Sequence, residues 1–97
     1  MSEFHWLMKW YADQCNGDWE HQFGVKIETL DNPGWSITID LAGTPLEGRS
    51  YARVDHNVES EVSWWACRTE GKQWRAACGP TDLATVIGLF RDWAISN

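Results

Sequence analysis

The chain has 97 residues, of which 43% are hydrophobic and eight are tryptophan, and its formal net charge is −6. This length is typical of one domain, which we expect to span residues 1–97. The hydrophobic content excludes an intrinsically disordered protein, and no apolar run approaches the ~18 residues that a transmembrane helix needs.

The negative charge is concentrated in the first half of the chain. Residues 1–47 carry eight acidic residues and two lysines, whereas residues 48–97 carry six acidic and six basic residues. Direct binding to nucleic acid is disfavoured, because it requires Lys and Arg to neutralise phosphates. An acidic half fits a basic protein partner. The alternative is that the acidity only keeps the protein soluble.

The spacing of apolar residues predicts a helix from Ser2 to Cys15, with Ser2 as its N-cap. Trp6 and Trp10 fall outside the apolar stripe, so we expect them on the far side of this helix from the core. They either pack under the segment 42–50 or are exposed for a partner. The predicted core stripe consists of Phe4, Leu7, Met8, Tyr11 and Cys15.

A β-hairpin is predicted around Asn32-Pro33-Gly34, with Pro33-Gly34 at the centre of a type II turn. Its strands are Phe23–Asp31 and Trp35–Leu41, and placing Asp31 opposite Trp35 produces one apolar face and one polar face. In this register Ile27 lies opposite Ile39, and Lys26 opposite Asp40.

The second half of the chain predicts further strands and a final helix. The expected elements are a strand at Tyr51–His56, a hairpin of Val62–Thr69 and Gln73–Cys78, and a helix at Thr81–Ile95. The order is α-β-β-β-β-β-α, which predicts an α+β fold. We expect an antiparallel sheet of four or five strands with the N- and C-terminal helices packed on one face.

Trp64 and Trp65 are adjacent in a predicted strand, so their side chains point to opposite faces of the sheet. A two-residue turn places Trp64 on the open face, near Arg68 and Arg75, whereas a three-residue turn places Trp65 there, again with Arg75. Such a patch of Trp and Arg is typical of a binding hot spot. The structural alternative is a cation–π pair that shields a surface tryptophan.

The segment Cys15–His21 brings a thiol, two carboxylates and an imidazole together after the first helix. One interpretation is an acidic loop that binds a partner through Asp18, Glu20 and His21. Another is a site of chemistry, with His21 as a general base oriented by Asp18 or Glu20, or with all three as metal ligands. The structural alternative is a turn in which the two carboxylates accept backbone hydrogen bonds. No catalytic or zinc-binding motif is present, so we expect no enzyme, no cofactor and no metal. Three cysteines without paired spacing, and a start without signal-peptide features, indicate a reduced cytoplasmic protein.

Several segments resemble the immunity protein 53 family of bacterial polymorphic toxin systems. They are Cys15–His21, Phe23–Trp35, Ile39–Leu46 and Gly79–Trp93, preceded by Trp6 and Trp10. The most distinctive strings, GDWEH and TLDNPGW, contain Asp18, Trp19, Glu20, His21, Asp31, Asn32, Pro33, Gly34 and Trp35. The resemblance implies a small α+β protein that protects the producing cell by binding its toxin, without catalysis.

The function expected from these observations is occlusion of a cognate toxin, with a basic nuclease as the candidate partner. We expect contacts from an acidic and tryptophan-rich surface that contains Trp6, Trp10, Asp18, Trp19, Glu20, His21, Trp64 and Arg75. The alternatives are a small enzyme or metal-binding protein that uses the Cys15–His21 segment, and a homodimer built on the open face of the sheet.

Overall fold

The structure is a computed structural model and describes residues 2–96. Met1 and Asn97, which belong to the predicted domain range, lie outside the described residues. The elements are α1 (Glu3–Gln14), α2 (Trp19–Gln22), β1 (Val25–Leu30), β2 (Gly34–Asp40), β3 (Val54–His56), β4 (Trp65–Glu70), β5 (Gln73–Cys78) and α3 (Leu83–Ile95). The predicted α+β fold is confirmed, and the short helix α2 was not predicted.

The five strands form one antiparallel sheet in the order β1-β2-β5-β4-β3. Alternate residues of β2, β4 and β5 point to one face, where α1 and α3 cover them. The resulting core consists of Leu7, Ile37, Ile39, Leu41, Leu46, Cys67, Trp74, Ala76, Cys78, Val86, Ile87 and Phe90. The opposite face carries Lys26, Thr38 and Arg75 and remains uncovered by the described elements.

Helix α1 begins as predicted, because the Ser2 hydroxyl oxygen accepts a hydrogen bond from the His5 N–H at 3.1 Å. Its predicted orientation is wrong. Trp6 and Trp10 pack edge-on against Phe90 of α3, with ring centroids 6.0 and 5.2 Å apart. Because α1 packs against α3, the helix buries Leu7 and partly buries the two indoles. Phe4, Met8 and Tyr11 of the predicted core stripe are exposed.

The first hairpin has the predicted faces but not the predicted register. Ile27 lies opposite Ile37, two residues from its expected partner, and Lys26 lies opposite Thr38. A shift of two residues leaves every side chain on its predicted face. The turn lies at residues 31–33, one residue before the predicted turn, and the peptide bond between Asn32 and Pro33 is cis.

Gly34 belongs to β2 rather than to the turn, which overturns the predicted type II turn. It pairs with Leu30 across the first hairpin. A Cβ atom at this position would overlap the carbonyl oxygen of Cys78, the last residue of β5. Gly34 is therefore required by the close approach of two strands and not by the turn.

The second hairpin has a two-residue turn at residues 71–72, with Gly71 at a positive φ of 60°. Trp65 lies opposite Cys78 and packs against the core, and its ring stacks on His56 of β3 at 4.1 Å. This settles the alternative between the two adjacent tryptophans in favour of Trp65 on the helix-covered face. Within residues 2–96, none of the helices has both the length and the apolar character needed to span a membrane.

Candidate partner-binding surface

Trp19 fastens the segment after α1 to the body of the protein. Its side chain is only 5% exposed, and its indole N–H donates a hydrogen bond to the carbonyl oxygen of Ala42 at 2.7 Å. The rings of Trp10, Tyr11 and Phe23 surround it, with centroids 5.9 to 6.4 Å away. The expectation that Trp19 lies outside the core is wrong, because these three rings cover its indole and leave it buried.

The turn between α1 and α2 is closed by two side chains. The Glu20 carboxylate accepts hydrogen bonds from the N–H groups of Asn16 and Gly17 at 2.9 and 2.8 Å. The Asn16 side-chain oxygen accepts hydrogen bonds from the N–H groups of Asp18 and Trp19 at 3.0 and 2.9 Å. The backbone N–H of Glu20 itself and those of Asn16 and Gly17 hold the pKa of the Glu20 carboxyl below its ordinary value. Glu20 therefore has the structural role that was one alternative for this segment.

Asp18 and His21 are exposed on either side of the Trp19 anchor. On α1, Trp6 and Trp10 are half-buried and line a shallow hollow of about 120 Å³ together with Lys9 and Asp13. The Trp10 ring contacts Trp19 and so connects this hollow to the segment that carries Asp18 and His21. We name the surface formed by Trp6, Trp10, Asp13, Asp18 and His21 the α1–α2 corner. It presents the Asp18 carboxylate, an imidazole and the edges of two indoles, which suit a surface for a protein partner. Its second carboxylate, Asp13, pairs with Lys9 of the same helix at 3.2 Å and is itself exposed.

The thiols differ in their exposure. Cys15 is exposed, and its Sγ lies 3.4 Å from the carbonyl oxygen of Tyr11. Cys67 and Cys78 are buried, and burial raises the pKa of each thiol to about 11. Both core thiols are therefore protonated at neutral pH, whereas nucleophilic attack requires the thiolate. Residues 2–96 contain no group of three His, Cys, Asp or Glu side chains placed to hold a metal ion.

The structure does not bring Trp64 and Arg75 together. Arg75 lies opposite Arg68 in the sheet, and Trp64 precedes Arg68 by four residues, which is roughly 13 Å along a strand. The Arg75 guanidinium instead donates to the side-chain oxygen of Gln73 at 2.8 and 3.0 Å and pairs with Glu70 at 3.6 Å. The described contacts of Arg75 thus lie within its own hairpin, and Trp64 and Arg75 as partner-binding residues stay a prediction.

Asp82 is a structural residue whose contacts were not predicted. Its buried carboxylate accepts hydrogen bonds from the Trp64 N–H at 3.0 Å and from the Ser63 hydroxyl at 3.1 Å. These bonds hold the segment before β4 against the start of α3. The sequence places Asp82 near the start of a helix, but only the fold brings residues 63 and 64 within its reach.

A second surface feature was also missed, namely an apolar groove of about 250 Å³ between α1 and the edge strand β1. The exposed stripe of α1 forms one side, and β1 forms the other. The signal was present in the sequence, because the stripe was recognised but was assigned to the core. We name this feature the α1–β1 groove; it is lined by Phe4, Leu7, Met8, Tyr11, Val25 and Ile27.

Comparison with known proteins gives one family. A family model described as Immunity protein 53 matches residues 4–95, nearly the whole chain. No curated protein and no solved structure matches the chain significantly. The match includes the α1–α2 corner and all five strands.

Proposed function

The chain belongs to the immunity protein 53 family, and from this membership we propose that it binds and neutralises a cognate toxin through the α1–α2 corner. In this proposal the protein covers the surface through which the toxin acts on its target, and it catalyses no reaction of its own. The observation that carries the proposal is the family match over residues 4–95, because it assigns the whole domain to toxin immunity. We place this activity in the cytoplasm of the producing cell.

The choice of the α1–α2 corner rests on how the carboxylates of the first half are used. Asp40 accepts hydrogen bonds from the Gly24 N–H and the Gln73 side chain, and Glu47 accepts one from the Gly43 N–H. Glu20 is also occupied, by the turn before α2. Asp18 is exposed and directly precedes Trp19, whose ring contacts Trp10 of α1, so its charge is available to a partner.

A basic nuclease is the class of toxin that this corner suits best. Carboxylates on an immunity protein complement the positive surface that a nuclease needs to hold phosphates. Complementary charge chiefly accelerates association, whereas the indole edges supply apolar contact once the two proteins meet. His21 adds a ring that donates or accepts hydrogen bonds at the rim.

The test pairs two double variants that remove the same charge from different surfaces. Asp13→Asn with Asp18→Asn neutralises the α1–α2 corner, and Glu59→Gln with Glu61→Gln neutralises two exposed acids of the segment before β4. Each protein is co-expressed with the toxin encoded by the adjacent gene, and association rates are measured at low and high salt. We expect the corner variant to associate about tenfold more slowly at low salt and to protect growth less well.

The control variant is expected to protect growth as the parent does. If the parent protein neither restores growth nor co-purifies with the toxin, the proposed function is wrong. If both double variants slow association equally, toxin binding stands but its assignment to the α1–α2 corner fails.

A further inference from the structure

The two edges of the sheet differ in how they are protected. The β3 edge is three residues long and has an Arg53–Asp55 ion pair at 3.1 Å beside it. The β1 edge is six residues long, contains no proline and borders the apolar α1–β1 groove. Protein sheets usually protect their edges by shortness, charge or proline. The β1 edge lacks protection by shortness or proline, and its two charged residues, Lys26 and Glu28, are of opposite sign and so can pair with those of another β1 strand.

The hydrogen bonds of the first hairpin show which groups of β1 point outward. The Asp40 N–H donates to the carbonyl oxygen of Gly24 at 3.0 Å, so this opposed pair is a hydrogen-bonded one. Hydrogen-bonded and non-hydrogen-bonded pairs alternate along an antiparallel ladder. Lys26 and Glu28 therefore bond toward β2, whereas Val25, Ile27 and Thr29 direct their N–H and C=O groups to the open edge.

The groove beside this edge is lined by apolar side chains, and some of them are exposed to solvent. Met8 is 62% exposed and Phe4 is 41% exposed, and all six side chains that line the groove are hydrophobic or aromatic. A strand added to β1 would place alternate side chains beside Val25 and Ile27, on the same side as α1. The outward backbone groups and the groove would thus be covered by one partner.

We propose that this partner is a second copy of the same chain, paired antiparallel through β1 about a two-fold axis at Ile27. The two copies would then form one continuous sheet of ten strands, with five from each. A two-fold axis perpendicular to the sheet keeps both α1 helices on the same side, so the two grooves face each other across the axis. Phe4 and Met8 of each copy then contribute to one shared apolar cluster.

Charge determines the register of this pairing. An axis at Ile27 places Lys26 opposite Glu28 of the second copy, and Glu28 opposite Lys26 of the second copy. These are non-hydrogen-bonded pairs, in which side chains approach most closely. An axis at Lys26 would oppose two lysines, and an axis at Glu28 would oppose two glutamates, both of which are unfavourable. The strand is therefore complementary to itself in one register.

The test is a charge swap on β1, followed by sedimentation of the full chain. We expect the parent to dimerise, with a dissociation constant below about 1 mM. Lys26→Glu and Glu28→Lys each create like-charge pairs across the axis and should raise the dissociation constant about tenfold. The double variant carrying both changes restores opposite charges and should dimerise like the parent.

Two further variants separate pairing from folding. Thr29→Pro removes an outward N–H but no hydrogen bond to β2, so it should abolish the dimer while the monomer keeps its circular dichroism spectrum. Glu59→Lys matches the charge change of Glu28→Lys at an exposed position away from β1 and should leave the dimer intact.

A monomer at all concentrations, or a double swap that does not restore pairing, would overturn the proposal. So would amide protection of β1 that arises only when the adjacent-gene toxin is added, which would assign the edge to the toxin. Loss of growth protection in the corner variants, with dimerisation intact, would concern the proposed function and not this inference.

Discussion

Trp19 is the residue on which the candidate site depends. Its neighbours in the chain are polar, and its hydrogen-bond acceptor, Ala42, lies 23 residues away. Sequence periodicity describes one element at a time, so it placed Trp19 outside the core. The GDWEH string contributes to the family resemblance, and the structure shows that its tryptophan supports the turn between α1 and α2.

Replacing Trp19 by Phe should destabilise the fold by about 2 kcal/mol, because it leaves the Ala42 carbonyl without its donor and empties part of a packed site. Trp35→Phe is the matched control, since that indole donates to the Pro80 carbonyl at 3.0 Å but is only half-buried. We expect the control to cost about 1 kcal/mol. Urea denaturation of both variants measures the difference, and equal losses would contradict the anchoring role of Trp19.

The Glu20 carboxylate should contribute stability that depends on pH. Its pKa in the folded protein lies below the ordinary value of 4.5, so its contribution is complete above that value and is lost as the pH falls through the lowered folded pKa. Thermal unfolding of the parent and of Glu20→Gln should therefore differ at neutral pH and converge in acid. Glu61→Gln controls for the general loss of one exposed carboxylate. A constant difference at every pH would contradict the prediction.

Among the elements, α1 shows where hydrophobic spacing succeeds and where it fails. The helix, its N-cap and its end were all predicted correctly from the sequence. The side that faces the core was not predicted correctly, because α1 has two apolar sides. The side with the larger residues, the two tryptophans, is the one that packs against α3. Trp6 and Trp10 pack against Phe90, and the Phe4, Met8 and Tyr11 stripe is left exposed.

The first hairpin was predicted to within two residues for a related reason. Alternation fixes the face of each side chain, but a shift of two residues preserves that alternation. The register of β1 on β2 was therefore undetermined by pattern, and the prediction depended on where the turn lies. Contact between Gly34 and the end of β5 involves a strand 44 residues away, which local reasoning does not include.

Asp82 connects two elements, and removing its side chain should release one of them. In Asp82→Ala the Trp64 N–H loses its acceptor in a half-buried position, which should cost about 2 kcal/mol of stability. Hydrogen exchange at the Trp64 amide should accelerate more than exchange in β2. Ser63→Ala, which removes only the weaker partner, serves as the control and should change the Trp64 amide little. Unchanged exchange in Asp82→Ala would contradict this role.

At the scale of the whole molecule, composition predicted the class of the fold but not its arrangement. The element order α-β-β-β-β-β-α indicated a sheet covered by two helices, as observed. The placement of β5 between β2 and β4 depends on which strands meet after the chain has folded. The acidic first half likewise offers fewer free carboxylates in the folded protein than in the sequence. The side chains of Glu20, Asp40 and Glu47 accept hydrogen bonds from backbone N–H groups of the protein itself.

The aromatic contacts that start at Trp19 continue through the molecule, from Trp10 to Phe90 and then to Trp74 at the centre of the sheet. In the folded chain, ring packing and the hydrogen bonds of Glu20 and Asn16 thus fix the turn that leads into α2. Binding a partner usually costs conformational entropy, because loops and side chains must be ordered in the complex. The turn that presents Asp18 and His21 is already ordered in the folded protein, so less entropy is lost when a partner binds. If the corner binds the toxin as proposed, we expect this pre-organisation to give tighter binding than a flexible loop of the same composition.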